Sequence, residues 1–244
     1  MTNRTSLITA FALLCMMAGC QQASGPGLQV QVRAEPKQGY KPPAPEDTGY
    51  LPADDPAVLQ SHDHAYHLID YRKLEGVVVC LEPLDGQTIE QTAPAVPDIE
   101  VGERVKAKGD VYVTQAGPVT FRNNGSKPQT VLIRSALGVD PLEIVPGGAA
   151  AQAFDARVPR GPVEVLRDQD DEPLAYVYLS PSPLVRVARG GERVTFAPLT
   201  PGKYRVTTWH PILPGSSKVV DVGPGKMSKL TLTVGVNSLP EPSR

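Results

Sequence analysis

Proline or glycine interrupts this chain so often that long helices have no room to form: 26 prolines and 22 glycines are spread over 244 residues. Proline removes a backbone donor, and glycine raises the entropy cost of ordering, so each tends to end a regular element. Apolar runs at 77–81, 104–106, 111–114, 119–122, 130–134, 142–145, 153–156, 163–167 and 175–179 fall between them and read as short strands. Pro128, Pro141, Pro146, Pro159 and Pro162 are expected between the strands, since a strand inside a ladder needs its N–H groups. After Ser180-Pro181-Ser182-Pro183 the runs continue at 184–188, 192–197, 203–210, 217–222 and 229–236, with Gly190-Gly191 read as a hairpin turn and Pro201-Gly202 as a second turn. The expected fold class is all-β, an antiparallel β-sandwich architecture.

Period-two alternation assigns faces to these strands. Tyr204, Val206 and Thr208 share one face while Arg205, Thr207 and Trp209 share the other, so both faces are expected to be partly covered. Leu230, Leu232 and Val234 point inward from an antiparallel strand whose Lys229, Thr231 and Thr233 point outward. Val77-Val78-Val79-Cys80-Leu81 does not alternate at all and reads as a buried strand, with Cys80 acting as a small apolar side chain.

The amino terminus carries a different message. Arg4 precedes an apolar run at 7–17 and the small pair Ala18-Gly19, the pattern of a secretory signal. That run is about eleven residues, too short for a membrane-spanning helix. Met17-Ala18-Gly19-Cys20 resembles the lipobox of bacterial lipoproteins, which implies cleavage after residue 19 and acylation of Cys20. Such acyl chains would hold the protein on a membrane without any spanning helix. Gln21 and Gln22 follow where aspartate would signal inner-membrane retention, so the resemblance points to the outer membrane of the cell envelope. With Cys15 removed and Cys20 lipidated, Cys80 has no partner for an internal disulfide.

Residues 20–70 hold Gly25-Pro26-Gly27 and Lys41-Pro42-Pro43-Ala44-Pro45 with little apolar periodicity, and read as a flexible tether. Charge is nearly balanced, 24 Lys and Arg against 26 Asp and Glu, which excludes the basic surface of a nucleic-acid binder.

Two stretches then resemble known modules. Residues 119–131, Val-Thr-Phe-Arg-Asn-Asn-Gly-Ser-Lys-Pro-Gln-Thr-Val, resemble the strand and loop that carry the first copper histidine of cupredoxin-like (plastocyanin-like) domains. Residues 199–210, ending in Trp209-His210, resemble carboxypeptidase-regulatory-like (transthyretin-like) sandwiches. The pair is similar to exported plastocyanin-like or methylamine-utilisation-like proteins. The resemblance covers roughly residues 71–236 and implies a cupredoxin-like sandwich at 71–180 and a regulatory-like module at 181–237, after the signal at 1–19 and the tether at 20–70 and before a tail at 238–244 expected to be disordered. It also implies where copper would bind. There, Gln129 stands in place of the first histidine, and the loop at 166–174 has no Cys, His or Met. A type 1 site needs imidazole and thiolate ligands, so this domain is expected to have lost its copper.

His62, His64 and His67 lie within six positions, close enough for two imidazoles to reach one Zn²⁺ or Cu²⁺ ion with Asp63 or Asp70 in support. Solvated or backbone-bonded imidazoles are the plainer account. The acidic loop Asp168, Asp170, Asp171 and Glu172 lacks the glycine and spacing of a calcium loop and reads as a solvated turn, while His210 reads as an imidazole hydrogen-bonded at the turn before Pro211. No nucleophile elbow, P-loop or zinc-protease motif is present. With 1 Trp, 8 Tyr and 4 Phe, no aromatic platform for a sugar is evident. The expected function is non-catalytic: an envelope lipoprotein that binds or scaffolds a protein or glycan partner, without a resident cofactor. The rival is a periplasmic copper- or zinc-binding or redox-associated protein using His62–His67.

Overall fold

The computed structural model describes residues 25–35, 71, 74–87, 89–102, 109–154 and 157–235. Fifteen strands run through them: β1 (Gly27–Ala34), β2 (Val77–Pro83), β3 (Ile99–Glu100), β4 (Asp110–Thr114), β5 (Gly117–Arg122), β6 (Gln129–Ser135), β7 (Gly138–Ile144), β8 (Ala149–Phe154), β9 (Gly161–Arg167), β10 (Ala175–Leu179), β11 (Val185–Ala188), β12 (Arg193–Phe196), β13 (Gly202–Trp209), β14 (Ser217–Val222) and β15 (Met227–Val234). The all-β class holds, with mostly antiparallel pairing.

The strands form four sheets in two sandwiches. The first encloses Leu28, Val30, Val79, Leu81, Tyr204, Val206 and Leu232 between sheet β12-β1-β15 and sheet β11-β2-β13-β14. The second encloses Phe121, Val131, Ile133, Val165 and Val177 between β3-β5-β8 and β4-β10-β9-β6-β7. It is inserted into the first, because the chain leaves after β2 and returns at β11.

This insertion corrects the expected division of the chain. Residues 20–70 are not a tether throughout: residues 27–34 form β1, the central strand of its sheet, with Leu28, Val30 and Val32 fully buried. The alternation Leu28, Val30, Val32 is local and visible, but the surrounding proline- and glycine-rich composition masks it. Nor does a module start afresh at residue 181, since β2 pairs on one side with β11 and on the other with β13. The tail at 238–244 and the strand expected at 104–106 lie outside the described residues.

Three further expectations change. β15 runs parallel to β1, its one ladder partner, because a chain end meeting a strand from the other terminus is under no hairpin constraint. Gly190-Gly191 does not make a hairpin but carries the chain from one sheet to the other; Gly190 N–H donates to Leu74 O of one layer (2.7 Å) and Gly191 N–H to Val32 O of the other (2.7 Å). Pro141 and Pro162 lie inside strands, and the ladders tolerate them because each has a neighbour on one side alone. Pro141 is in the edge strand β7, and Pro162 pairs with Tyr178 of β10 beyond the last residue of β9 that pairs with β6.

The unbroken run at 77–81 now has a cause. Val77, Val79 and Leu81 face the first core, whereas Val78 and Cys80 face outward into a small cluster with Val113 and Val185, backed by Val111, Tyr178 and Trp209. One sandwich covers the outer face of the other, so β2 is buried on both sides and has no polar alternation. The same contact puts Trp209 of β13 against an apolar surface, as the two-faced reading of that strand expects.

Both crossings between the sandwiches are tied down. On the return, Ser180 Oγ donates to Ser182 O (2.5 Å), Ser182 Oγ accepts from Leu184 N–H (3.2 Å), and Ser180 N–H donates to Thr114 O (2.7 Å). On the outward path, Asp85 accepts from Lys203 N–H (2.9 Å), Gln87 Nε2 donates to Pro201 O (3.0 Å), and Gln91 Nε2 donates to Pro198 O (3.1 Å).

Candidate functional site

Where the two sandwiches meet, one end of their junction opens into a cleft of about 900 Å³. The first sandwich contributes the start of β2 and the ends of β11 and β13, with Glu75, Arg189, Glu192 and His210. The second contributes β4 and β10, with Asp110, Tyr112, Glu172 and Tyr176. Gly76 lets the walls approach: at φ +74°, a methyl there would lie 2.8 Å from Val111 Cγ2 across the junction.

A tyrosine ring marks one wall, Tyr176. Tyr176 and Tyr178 stand on one face of β10 by strand alternation, and both pack on Trp209, with ring centroids 5.8 and 5.4 Å apart respectively. Tyr112 of the neighbouring β4 pairs with Val177 and shares its face, packing towards the second core. Tyr176, Tyr178 and Trp209, scattered in sequence, are thus gathered by docking of β13 on β10. Burial pushes the hydroxyls of Tyr112 and Tyr176 up in pKa, helped by Asp110 and Glu100 near the first and Glu164 and Glu172 near the second. Both therefore stay neutral hydrogen-bonding groups at physiological pH. Among the described lining residues, four carboxylates face one guanidinium, and that one, Arg189, is 3.4 Å from Glu75 in an exposed pair that contributes little stability.

His210 lines the same cleft, but its ring is already engaged. Nδ1 accepts from the N–H groups of Ile212 and Leu213 (both 3.2 Å), which assigns the proton to Nε2, placed to donate to Glu75 O (3.1 Å). Burial lowers its pKa to about 4, with the Glu75 hydrogen bond acting in the opposite direction. This is the turn-bound imidazole expected from the sequence, and it joins the end of β13 to the lead-in of β2.

Cys80 is buried, its Sγ 3.1 Å from Ser180 Oγ. Burial raises the thiol pKa, partly offset by the hydrogen bond to Ser180. Its nucleophilic form is disfavoured, so in a soluble form starting at Gln21 a thiol reagent should modify Cys80 on the order of a hundredfold more slowly in buffer than in denaturant. Equal rates would show that the junction does not shield it.

The position of the copper site implied by resemblance is filled differently. Gln129, at the start of β6, is buried near the end of β9, and Asp168 N–H donates to Thr130 O (3.1 Å). Arg167 is also buried, pairs with Asp170 through Nε, and donates through Nη1 to Gly102 O (3.2 Å). A glutamine and a buried guanidinium do not fit copper. Asp168, Asp171 and Glu172 are exposed, as a solvated turn requires. Nearby, Asn123 is fully buried and organises the loop before β6: Nδ2 donates to Lys127 O (2.8 Å) and Ile144 O (3.1 Å), and Oδ1 accepts from Gly125 N–H (2.8 Å).

Cys20, His62, His64 and His67, with Asp63 and Asp70, lie outside the described residues. Among those described, no three His, Cys, Asp or Glu side chains gather as a metal site would need. The cleft itself has no counterpart among the sequence expectations. Tyr176-Val177-Tyr178 does carry a signal, since tyrosines at i and i+2 opposite Val177 mark a half-buried outer face. No family model matches this chain, and neither a curated protein nor a solved structure matches it.

Proposed function

We propose that this chain is a lipid-anchored protein of the bacterial cell envelope that binds a glycan in the cleft between its two sandwiches, without catalysing a reaction on it. The inserted sandwich is read as a cupredoxin-like domain without copper ligands, and the one that hosts it as regulatory-like. The observation that carries the reading is the cleft of about 900 Å³ walled by Tyr176 and rimmed by Glu75, Asp110, Glu172 and Glu192. Tyrosine faces suit the C–H faces of a sugar ring, carboxylates accept from its hydroxyls, and the size lies within the range of small-molecule sites. The sandwiches are joined by two crossings and an apolar contact, so the cleft is held open without reorganisation at binding.

Trp209 is the single tryptophan and touches Tyr176, so its emission reports on the cleft. Titration of the soluble body with peptidoglycan fragments and lipopolysaccharide core oligosaccharides should give a saturable emission change and matching calorimetric heats for one of them. Tyr176→Ala should weaken that binding in calorimetry by about tenfold, near 1.4 kcal/mol, the scale of one aromatic contact. The reading fails if neither glycan class produces a saturable signal.

A further inference from the structure

We infer that the protein stands on the bilayer with a fixed polarity: the end of the first sandwich that carries Gly27 and Met227 faces the lipid, and the cleft opens at the far end. The inference rests on the proposed anchoring at Cys20 and adds to it the direction in which the cleft points.

The leash is short. Cys20 stands five residues before Gly25, the first described residue. Even fully extended, those five residues span at most about 18 Å at 3.3–3.6 Å each. Gly25 leads directly into β1, and Pro26 O accepts from Leu199 N–H (2.9 Å), so the chain joins the body before the core strand begins. The proline-rich stretch that resembles a tether does not lie between anchor and body. It begins after Glu35, at the other end of β1, and returns at the same end. A methyl at Gly190 would be 3.2 Å from both Ala34 Cβ and Tyr71 O, which places the departure and the return around one turn.

Strand direction then assigns the two ends of this sandwich. Gly27 pairs with Met227 and Leu28 with Phe196, while Pro83 pairs with Tyr204; the starts of β1 and β15 thus gather with the ends of β12 and β2. At the opposite end Ala34 pairs with Val234, Ala188 with Val77, and Trp209 with Val78. That opposite end carries the cleft residues Glu75, Arg189, Glu192 and His210. The eight residues of β1 separate the ends by about 26 Å at roughly 3.3 Å per residue. This length exceeds the leash, so an inverted body would have to stretch its anchor past its own sandwich.

The test uses the full acylated protein in phospholipid vesicles carrying a headgroup energy-transfer acceptor. A donor dye is placed at Lys226→Cys, near Met227, or at Arg189→Cys, at the cleft; both native side chains are exposed, and the buried Cys80 is left in place. Transfer should be at least about twofold stronger from position 226, given the height difference of about 26 Å. A flexible insertion of about twenty Gly and Ser residues after Gln22, spanning roughly 25 Å, should abolish the difference. Equal or reversed transfer in the protein of native length overturns the polarity while leaving the anchor intact. Absence of an acyl group on Cys20 by mass spectrometry overturns the anchoring, and the polarity with it.

Discussion

A soluble form that begins at Gly25 will fold as well as one that begins at Gln21, whereas one that begins at Pro36 will not fold. The second deletion removes β1, the strand that joins β12 to β15 in their sheet. It also removes Leu28, Val30 and Val32, each at 0% exposure. Full burial of such side chains stabilises by about 1.5–3 kcal/mol each, and two ladders of backbone hydrogen bonds go with them. The loss is therefore on the order of 10 kcal/mol, comparable with the total stability of a domain. Circular dichroism and thermal melting of the three forms measure it. A milder variant, Leu28→Ala in the form from Gln21, should lose about 3 kcal/mol in denaturant titration. A chain starting at Pro36 that melts at the same temperature as the longer forms would remove β1 from the core.

Acid will weaken the protein through His210. Its pKa is lowered from 6.5 to about 4 in the folded state, so between those values the unfolded chain binds the extra proton and the folded chain does not. Stability from this group is complete above pH 6.5 and is lost as pH falls towards 4. A difference between 6.5 and about 4 corresponds to about 3 kcal/mol at most. His210→Ala should cost about 2–3 kcal/mol at pH 7, because the N–H groups of Ile212 and Leu213 and the carbonyl of Glu75 lose their shared partner. It should also flatten the dependence of stability on pH between 6.5 and 4 relative to the wild type. Carboxylates contribute to both proteins, so the difference between the two curves isolates the imidazole. Parallel curves would show that His210 titrates normally in the folded protein.

These two expectations depend unequally on what the sequence displays. His210 sits in a Trp-His-Pro ending where a turn is written locally, and its role as a turn-bound imidazole is legible from those residues alone. β1 is not legible in that way, because its alternating Leu28, Val30 and Val32 are embedded in proline- and glycine-rich surroundings whose average composition argues for disorder. The cleft is less legible still. Tyr176 and Trp209 are far apart in the chain and meet through docking of β13 on β10, and no local pattern encodes that contact.

The amino-acid sequence alone determined the all-β class, most strand positions and the inward face of each alternating strand, because turn residues and period-two patterns act over a few neighbouring residues. It also determined that residues 166–174 contain no Cys, His or Met. Tertiary structure decided which strands share a sheet, that one sandwich is inserted in the other, that β15 runs parallel to β1, and that Val78 and Cys80 are covered from outside. Those outcomes depend on contacts between segments a hundred residues apart, where burying a second apolar face outweighs any preference the local sequence expresses.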